Sequence, residues 1–366
     1  MQIGNYTDGG ESISFEWEGD DPVLIVGREA TETLRRLFLD ALYNDEKCTF
    51  IGNAEEVLPY IPKNKVTKTA LFELDYEFPR SCNPFKGVST REKSGVAQYM
   101  VDDFHAAYPT DYETHQFDMY LRAGALAMME IRDGTLLSLA HLFMSKEYRE
   151  RVIGHLKDST SLKKVWEHFH SLSDREQNDR SLSLLNRLIP LITDPLYANT
   201  IGQTKGLSLK DTDILLVSLP EGTQAQLIAG LLLSRIKGKV FIEKPYIHVG
   251  SSQPVIACRY LDQLPKKLRE QLISTAVLIS FRLGVKDEKV LAPHFELPNQ
   301  DANLLRQLLP YKALIRLEDT HELYMPYHSY PKFPKSAQKI KDRSRSQFGK
   351  KREQVEERIA RFVENT

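Results

Sequence analysis

Sixteen residues near the start of the chain, VLIVGREATETLRRLF (23–38), bring together the parts of a phosphate loop: an apolar strand, a glycine and a helix. In the pattern GxxxxGK[ST] the glycines let backbone N–H groups wrap the phosphates. The lysine reaches the β and γ phosphates, and the hydroxyl holds Mg²⁺. Laid on this chain, the first glycine is Gly27 and Thr31 ends the variable stretch. Glu32 then stands at the second glycine, Thr33 at the lysine and Leu34 at the hydroxyl. A carboxylate at Glu32 would face the phosphates, and like charges at that range oppose binding. Arg28 and Arg35 are cations close by, but neither holds the lysine position, and together with Arg36 they read as solvent-facing. The stretch predicts the shape of a phosphate loop with its chemistry lost.

Other chemistry-bearing patterns are thin. The chain has no Gx[ST]xG elbow, no HExxH and no CxxC pair. His168 and His170 are two apart and cannot share a helical face, so no metal site is expected there. Asp102 and Asp103 beside His105 read as an acidic helix start, and His141 as packed or half-exposed. Ser251–Ser252 has no base near it in sequence. Cys48, Cys82 and Cys258 are far apart and each lies among apolar residues, which predicts buried thiols in a reducing compartment rather than disulfides.

The elements that would position these residues follow a clear rhythm. PVLIVG (22–27), CTFIGN (48–53) and TALFELDY (69–76) read as buried strands separated by helices, with AEEVLPYIP a short helix stopped by Pro62. This is the pattern of an α/β domain with a mainly parallel sheet. From Glu92 to Ile201 the apolar spacing becomes helical, with Asp158, Ser173 and Asp194 as capping residues. The α/β rhythm resumes with strand DILLVSLP (213–220), helix TQAQLIAGLLLSRI (223–236), and strands KVFIEKPYIHVG (239–250) and PVIACRYL (254–261). Helix PKKLREQLI (265–273), strand AVLISFRLG (276–284) and a terminal hairpin follow. Two helical pieces hinged at Gly349 close the chain. The domain reading is an N-terminal arm or edge hairpin over 1–20, a discontinuous α/β domain over 21–97 and 201–330, a helical insertion over 98–200 and a basic helical tail over 331–366.

Composition is that of a globular chain of 366 residues with a formal net charge of -1, which does not argue for or against nucleic acid. The charge is unevenly placed. Six acidic residues and no Lys or Arg precede Val23, whereas the last 36 residues carry 11 basic side chains against 5 acidic ones. Lys339, Lys341, Arg343, Arg345, Lys350, Lys351 and Arg352 are therefore candidate nucleic-acid contacts. No regular aromatic stacking pattern accompanies them, so such binding is expected to be weak and salt-sensitive. No signal peptide or membrane span is expected, which points to a cytoplasmic protein.

The succession FIGNAEEVLPYIP, CNPF, DGTLLSLAHLFMSKEYRERVI and NRLIPLITDPLYANTIGQ resembles the TraG/TraD-like type IV secretion coupling ATPases, relatives of the FtsK and HerA motors. DILLVSLPEGTQAQLIAGLLLSRI, YLDQLPKKLREQLISTAVLISFRLGVKDEKVLA and SRSQFGKKREQVEERIARF continue the resemblance from Pro22 to the C-terminus. It implies a RecA-like core carrying an all-helical insertion, and hexamers that move single-stranded DNA. It also locates a second departure. Where that family's Walker B strand ends in an acidic pair, YIHVGSSQ (246–253) has Gly250 and Ser251, with only Gln253 matching. The polar sensor pair becomes Cys258–Arg259, and the loop after the second strand has shrunk to Gly52–Asn53. Arg282 matches an arginine near the subunit interface, a candidate to act on a neighbour's nucleotide; the alternative is a pair with Asp287 or Glu288.

Without the lysine, the Mg²⁺ ligand and the general base, phosphoryl transfer loses most of what catalyses it. The expectation is a pseudo-ATPase with no cofactor, acting as an adaptor or structural subunit. Its partner would be an active ATPase of the same family, a cargo protein or DNA, with oligomerisation open, and the helical insertion is the expected docking surface. Two alternatives stand beside it: a nucleotide-dependent translocase in which Arg28 replaces the lysine, and a stand-alone DNA-binding protein of a mobile element, defence system or virus. The coupling proteins' N-terminal membrane region has no counterpart in the sequence, so anchoring at a channel is not expected.

Overall fold

The computed structural model describes residues 2–8, 11–16, 21–109, 115–157, 161–207, 212–233, 236, 238–243, 254–296, 303–317, 319–325 and 329–366. The chain opens with a hairpin of β1 (Gln2–Asp8) and β2 (Glu11–Glu16). Strand β3 (Val23–Val26), helix α1 (Ala30–Tyr43) and strand β4 (Cys48–Ile51) follow. Short 3-10 turns then lead to β5 (Thr69–Glu73), where the sequence predicts one helix over AEEVLPYIP. Pro59 and Pro62 remove the donors that a continuous α-helix there would need.

Seven helices come next: α2 (Lys93–Ala107), α3 (His115–Glu130), α4 (Leu136–Met144), α5 (Lys146–His155), α6 (Ser161–Ser171), α7 (Asp174–Thr193) and α8 (Pro195–Ile201). Beyond them lie β6 (Ile214–Ser218), α9 (Thr223–Leu233), β7 (Lys239–Ile242), β8 (Pro254–Cys258), α10 (Lys266–Thr275) and β9 (Val277–Ser280). The remainder is α11 (Val285–Leu291), α12 (Leu304–Gln307), β10 (Lys312–Arg316), β11 (Thr320–Tyr324), α13 (Pro334–Phe348) and α14 (Arg352–Glu364). Asp158, expected as a cap, lies outside the described residues, as does 244–253.

The strands form one sheet of 11, in the order β2-β1-β11-β10-β9-β3-β8-β7-β4-β6-β5. From β9 to β6 neighbours run parallel, while β10, β11 and the N-terminal hairpin extend the sheet antiparallel. Every residue of VLIV, CTFI, PVIAC and VLIS is buried, as parallel strands covered on both faces require. Helix α1 lays Leu34, Leu37, Phe38 and Leu42 on the sheet, each fully buried. The Phe38 ring sits 5.1 Å from that of Phe50 and 5.7 Å from that of Phe241.

Two compact units result. The first comprises Met1–Leu71, Asp211–Ser218 and Ile236–Lys341; the second comprises Phe72–Lys210, Leu219–Arg235 and Asp342–Thr366. The grouping puts α9 and the end of the chain with the helices. The helical unit has its own core, in which Tyr120, Phe143, Trp166 and Phe169 meet edge to face. Arg149, 1% exposed, lies 5.0 Å over the Phe169 ring and donates to the carbonyls of Leu142 and Phe143 and to Gln177 Oε1.

Local signals set the helix ends. Ser173 and Glu176 form a reciprocal capping box at the start of α7, and Asp194 accepts from the Leu196 amide to begin α8. Ser173→Ala is expected to cost about 1 kcal/mol, read as a shift in the urea midpoint of the full chain. A Ser173→Thr variant should recover most of it, since threonine offers the same oxygen. The three cysteines are buried and none is in a disulfide. Burial pushes the Cys48 and Cys258 thiols up to about 12, which makes both poor nucleophiles.

Candidate functional site

In a sheet of this kind a ligand sits at the carboxyl ends of the central strands. Here that edge is built around Gly27, directly after β3. Its φ of +114° is one that only glycine adopts without strain. A Cβ there would lie 2.9 Å from the Arg282 carbonyl oxygen and 3.0 Å from Phe281 backbone carbon.

The first amides of the turn are directed to neighbouring carbonyls. Gly27 N–H donates to the Cys258 carbonyl at 3.0 Å, and Arg28 N–H donates to the Arg282 carbonyl at 3.3 Å. Ala30 N–H turns back to the Gly27 carbonyl, also at 3.3 Å, and α1 has begun by Ala30. Three residues therefore separate strand from helix. Thr31, Glu32, Thr33 and Leu34 all lie inside α1, with Thr31 half-buried and Glu32 exposed. Thr33 is buried, and Leu34 is part of the hydrophobic core at 0% exposure. Glu29 precedes the helix, and burial raises its carboxyl pKa against the opposing pull of its own amide, Arg28 and Arg282.

A cleft of about 270 Å³ flanks this turn, lined among others by Glu29, Glu32, Thr33, Arg36, Tyr60 and Tyr330. Its arginines are already matched, while Lys332 is exposed over the Tyr60 ring. Arg35 is paired to Glu243, at the end of β7, and to Glu56 at 3.4 Å. Glu243 also accepts from the Asn53 amide at 2.9 Å, and it fills the space where Gly52 would carry a Cβ. Arg36 donates to the Ile3 carbonyl, and the Tyr330 hydroxyl donates to Asp40. Arg35 and Arg36 are thus half-buried and partnered, not solvent-facing as the sequence suggested, because their partners lie far along the chain. Arg28 is exposed. The cleft thus carries Glu29, Glu32 and Glu56 on its walls, with its partly buried arginines engaged.

The other positions singled out by sequence scatter. Gly250, Ser251 and Gln253 lie outside the described residues, so the Walker B stretch has no structural account. Cys258 ends β8 inside the core, while Arg259 is exposed over the Tyr260 ring. Arg282 is exposed at the end of β9, with its carbonyl closing the Gly27 turn. The carboxylates first offered as its partners are engaged otherwise: Asp287 accepts from the Leu261 amide and Glu288 pairs with Arg306 at 2.6 Å.

In the tail, Lys341 pairs with Glu55, Arg345 with Asp75 and Arg352 with Glu356. Arg345 and Arg352 also cover the rings of Phe78 and Tyr76. Lys339 and Lys351 are exposed, while Arg343 and Lys350 are half-buried. Among the described residues no group of three or more His, Cys, Asp or Glu gathers as for a metal, and no helix is long and apolar enough to cross a membrane. Glu243 was missed in sequence, although a carboxylate ending the strand KVFIE across from an arginine-bearing helix was a readable signal.

A mostly parallel sheet of this order, carrying a helical insertion between β5 and β6, defines the RecA-like class. Solved structures place the chain within that class. The conjugative coupling protein TrwB, in its unbound monoclinic form, superposes with a TM-score of 0.57 at 10% identity, over 89% of each chain. VirB4 of Thermoanaerobacter pseudethanolicus does so at 0.58 and 12% identity, over 92% of this chain and 97% of its own. TrwB in complex with the non-hydrolysable ATP analogue ADPNP gives 0.55 at 11%, over 85% and 87%. No family model and no curated protein matches the sequence. The chain has the RecA-like fold shared by TrwB and VirB4.

Proposed function

We propose that this chain is a RecA-like subunit that neither holds nor hydrolyses nucleotide and works by binding a protein partner. The reading rests on one observation above the others. The strand-to-helix turn is only three residues long, its Gly27 and Arg28 amides are bonded to the carbonyls of Cys258 and Arg282, and the position of the Mg²⁺ ligand is a core leucine. A phosphate loop acts through unengaged, converging N–H groups and a lysine; here the first amides are taken and no lysine stands at that position.

TrwB is called a conjugative coupling protein, and one of its structures holds an ATP analogue. By that likeness the partner here is an active ATPase of the same fold or a cargo protein, with the helical insertion as the docking surface. Calorimetric titration of the purified chain with ATP and Mg²⁺, run beside a phosphate-release assay, tests the first half. The expected result is no saturable heat and no phosphate. Micromolar binding would favour the translocase reading, with Arg28 supplying the charge and Glu29 or Glu32 the Mg²⁺ ligand. Partner capture with the full chain, repeated with the exposed helical residues Leu182 and Ile189 changed to Ser, tests the second half. Equal capture by both forms would sink the docking claim, and a salt-sensitive shift of single-stranded DNA without any protein partner would favour the DNA-binding alternative.

A further inference from the structure

A second feature of the helical unit has the chemistry that the Gly27 turn lacks. The loop after α8, the α13–α14 turn and one face of α14 surround a small cavity of about 70 Å³. That is roughly the space of two waters at about 30 Å³ each, enough for a small anion and too little for a nucleoside. Gln203, Thr204, Lys350, Arg358, Thr135 and Asp133 line it.

Lys350 is half-buried, and its ammonium is pushed toward the neutral form by burial first and then by the charges of Arg358 and Lys205. Among the described residues no carboxylate pairs with Lys205, Lys350 or Arg358. Nearby cations are arranged differently, since Arg345, Arg352 and Arg361 each have an acidic partner. Two cations lining a partly desolvated cavity oppose one another unless an anion joins them.

The backbone holds the arrangement in place. Lys350 N–H donates to the Pro79 carbonyl, and Gly349 bridges to Arg80. Gln203, 4% exposed, gives its amide group to the carbonyls of Pro79 and Asn199 at 3.1 and 2.8 Å. Its Oε1 is buried and accepts nothing. The cavity therefore asks for a ligand with anionic oxygens for the cations and one O–H donor for Gln203. Lys350 and Arg358 line it, and the charge of Lys205 acts on Lys350 from nearby.

We propose that this cavity is a binding site for inorganic phosphate, taken as hydrogen phosphate. Lys350 and Arg358 face its oxygens, and its remaining proton is donated to Gln203 Oε1. The site does not depend on the reading of the Gly27 turn.

The test uses the full chain in phosphate-free buffer, titrated with sodium phosphate and, at matched ionic strength, with sodium sulfate and sodium chloride. Phosphate is expected to bind one to one and to raise the unfolding temperature. Sulfate, which has no proton to give Gln203, should bind several-fold more weakly. Lys350→Gln and Arg358→Gln should each weaken phosphate binding about tenfold or more, the range of one lost charge-assisted contact. Without phosphate, Lys350→Gln should melt no lower than the parent, because it removes an unpaired and partly desolvated charge. Should that variant fail to fold, the exposed Arg358→Gln decides by itself. Equal responses to the three salts, which would be an ionic-strength effect only, would overturn the proposal. So would sulfate binding as tight as phosphate, or phosphate binding unchanged in both variants.

Discussion

Gly27→Ala will cost about 3 kcal/mol of stability and leave nucleotide affinity unchanged. The two halves of that statement come from different physics. A φ of +114° is closed to residues with a Cβ, and strain of that kind costs on the order of 1–3 kcal/mol. The added methyl would also press on backbone, the Arg282 carbonyl oxygen and the Phe281 carbonyl carbon, at 2.9 and 3.0 Å. Neither can rotate away as a side chain would, which puts the effect at the top of the range. In a working phosphate loop the same substitution would damage ligand binding before stability. Chemical denaturation and an ATP titration on one preparation separate the cases. If the mutant keeps its stability, the account of why this glycine persists is wrong.

Trp166→Ala is the second large effect, expected at about 3–5 kcal/mol. Trp166 is 0% exposed, its ring lies 5.3 Å from that of Phe143 and 5.7 Å from that of Phe169, and its Nε1 donates to the Ala123 carbonyl. Truncation leaves a cavity among rings that cannot collapse into it, and an orphaned carbonyl. Trp166→Phe should cost much less, because it keeps the ring contacts and loses only the donor and part of the volume. Urea unfolding followed by far-ultraviolet circular dichroism reads both. If phenylalanine and alanine cost the same, the hydrogen bond and not the packing carries the site.

The sequence was most readable where burial leaves a continuous signature. VLIV, CTFI, ILLVS and VLIS are apolar at nearly every position because helices or loops cover both faces, and the capping residues Ser173 and Asp194 announce their helices by local chemistry alone. Legibility fell wherever the partner was distant. Arg35 looked solvent-facing because Glu243 is 208 residues away. The burial of Asp287 and Glu288 on helix α11, bonded to the Leu261 amide and to Arg306, is something that VKDEKVL does not disclose. The Lys205, Lys350 and Arg358 cluster was invisible for the same reason. The tail was read as a basic surface, yet Lys341, Arg345 and Arg352 are matched by acidic residues from other segments or one turn away. The departures from the phosphate-loop pattern could be read residue by residue, but the shortening of the turn to three residues could not, since a GxxxxG template presumes the loop length.

The register of β3 has a consequence for synthesis. Val23–Val26 pairs on both sides with strands that begin at Pro254 and Val277. At about 5–20 residues per second, its first neighbour leaves the ribosome on the order of ten to fifty seconds after it does. The segment that forms most of the helical unit is made entirely within that interval and can collapse on its own contacts. Meanwhile VLIV waits as an unpaired apolar strand, the sort of segment that chaperones shield. Slowing translation after residue 210 should therefore lower the soluble yield, and supplying residues 211–366 as a separate chain should rescue it only if present before the first fragment aggregates.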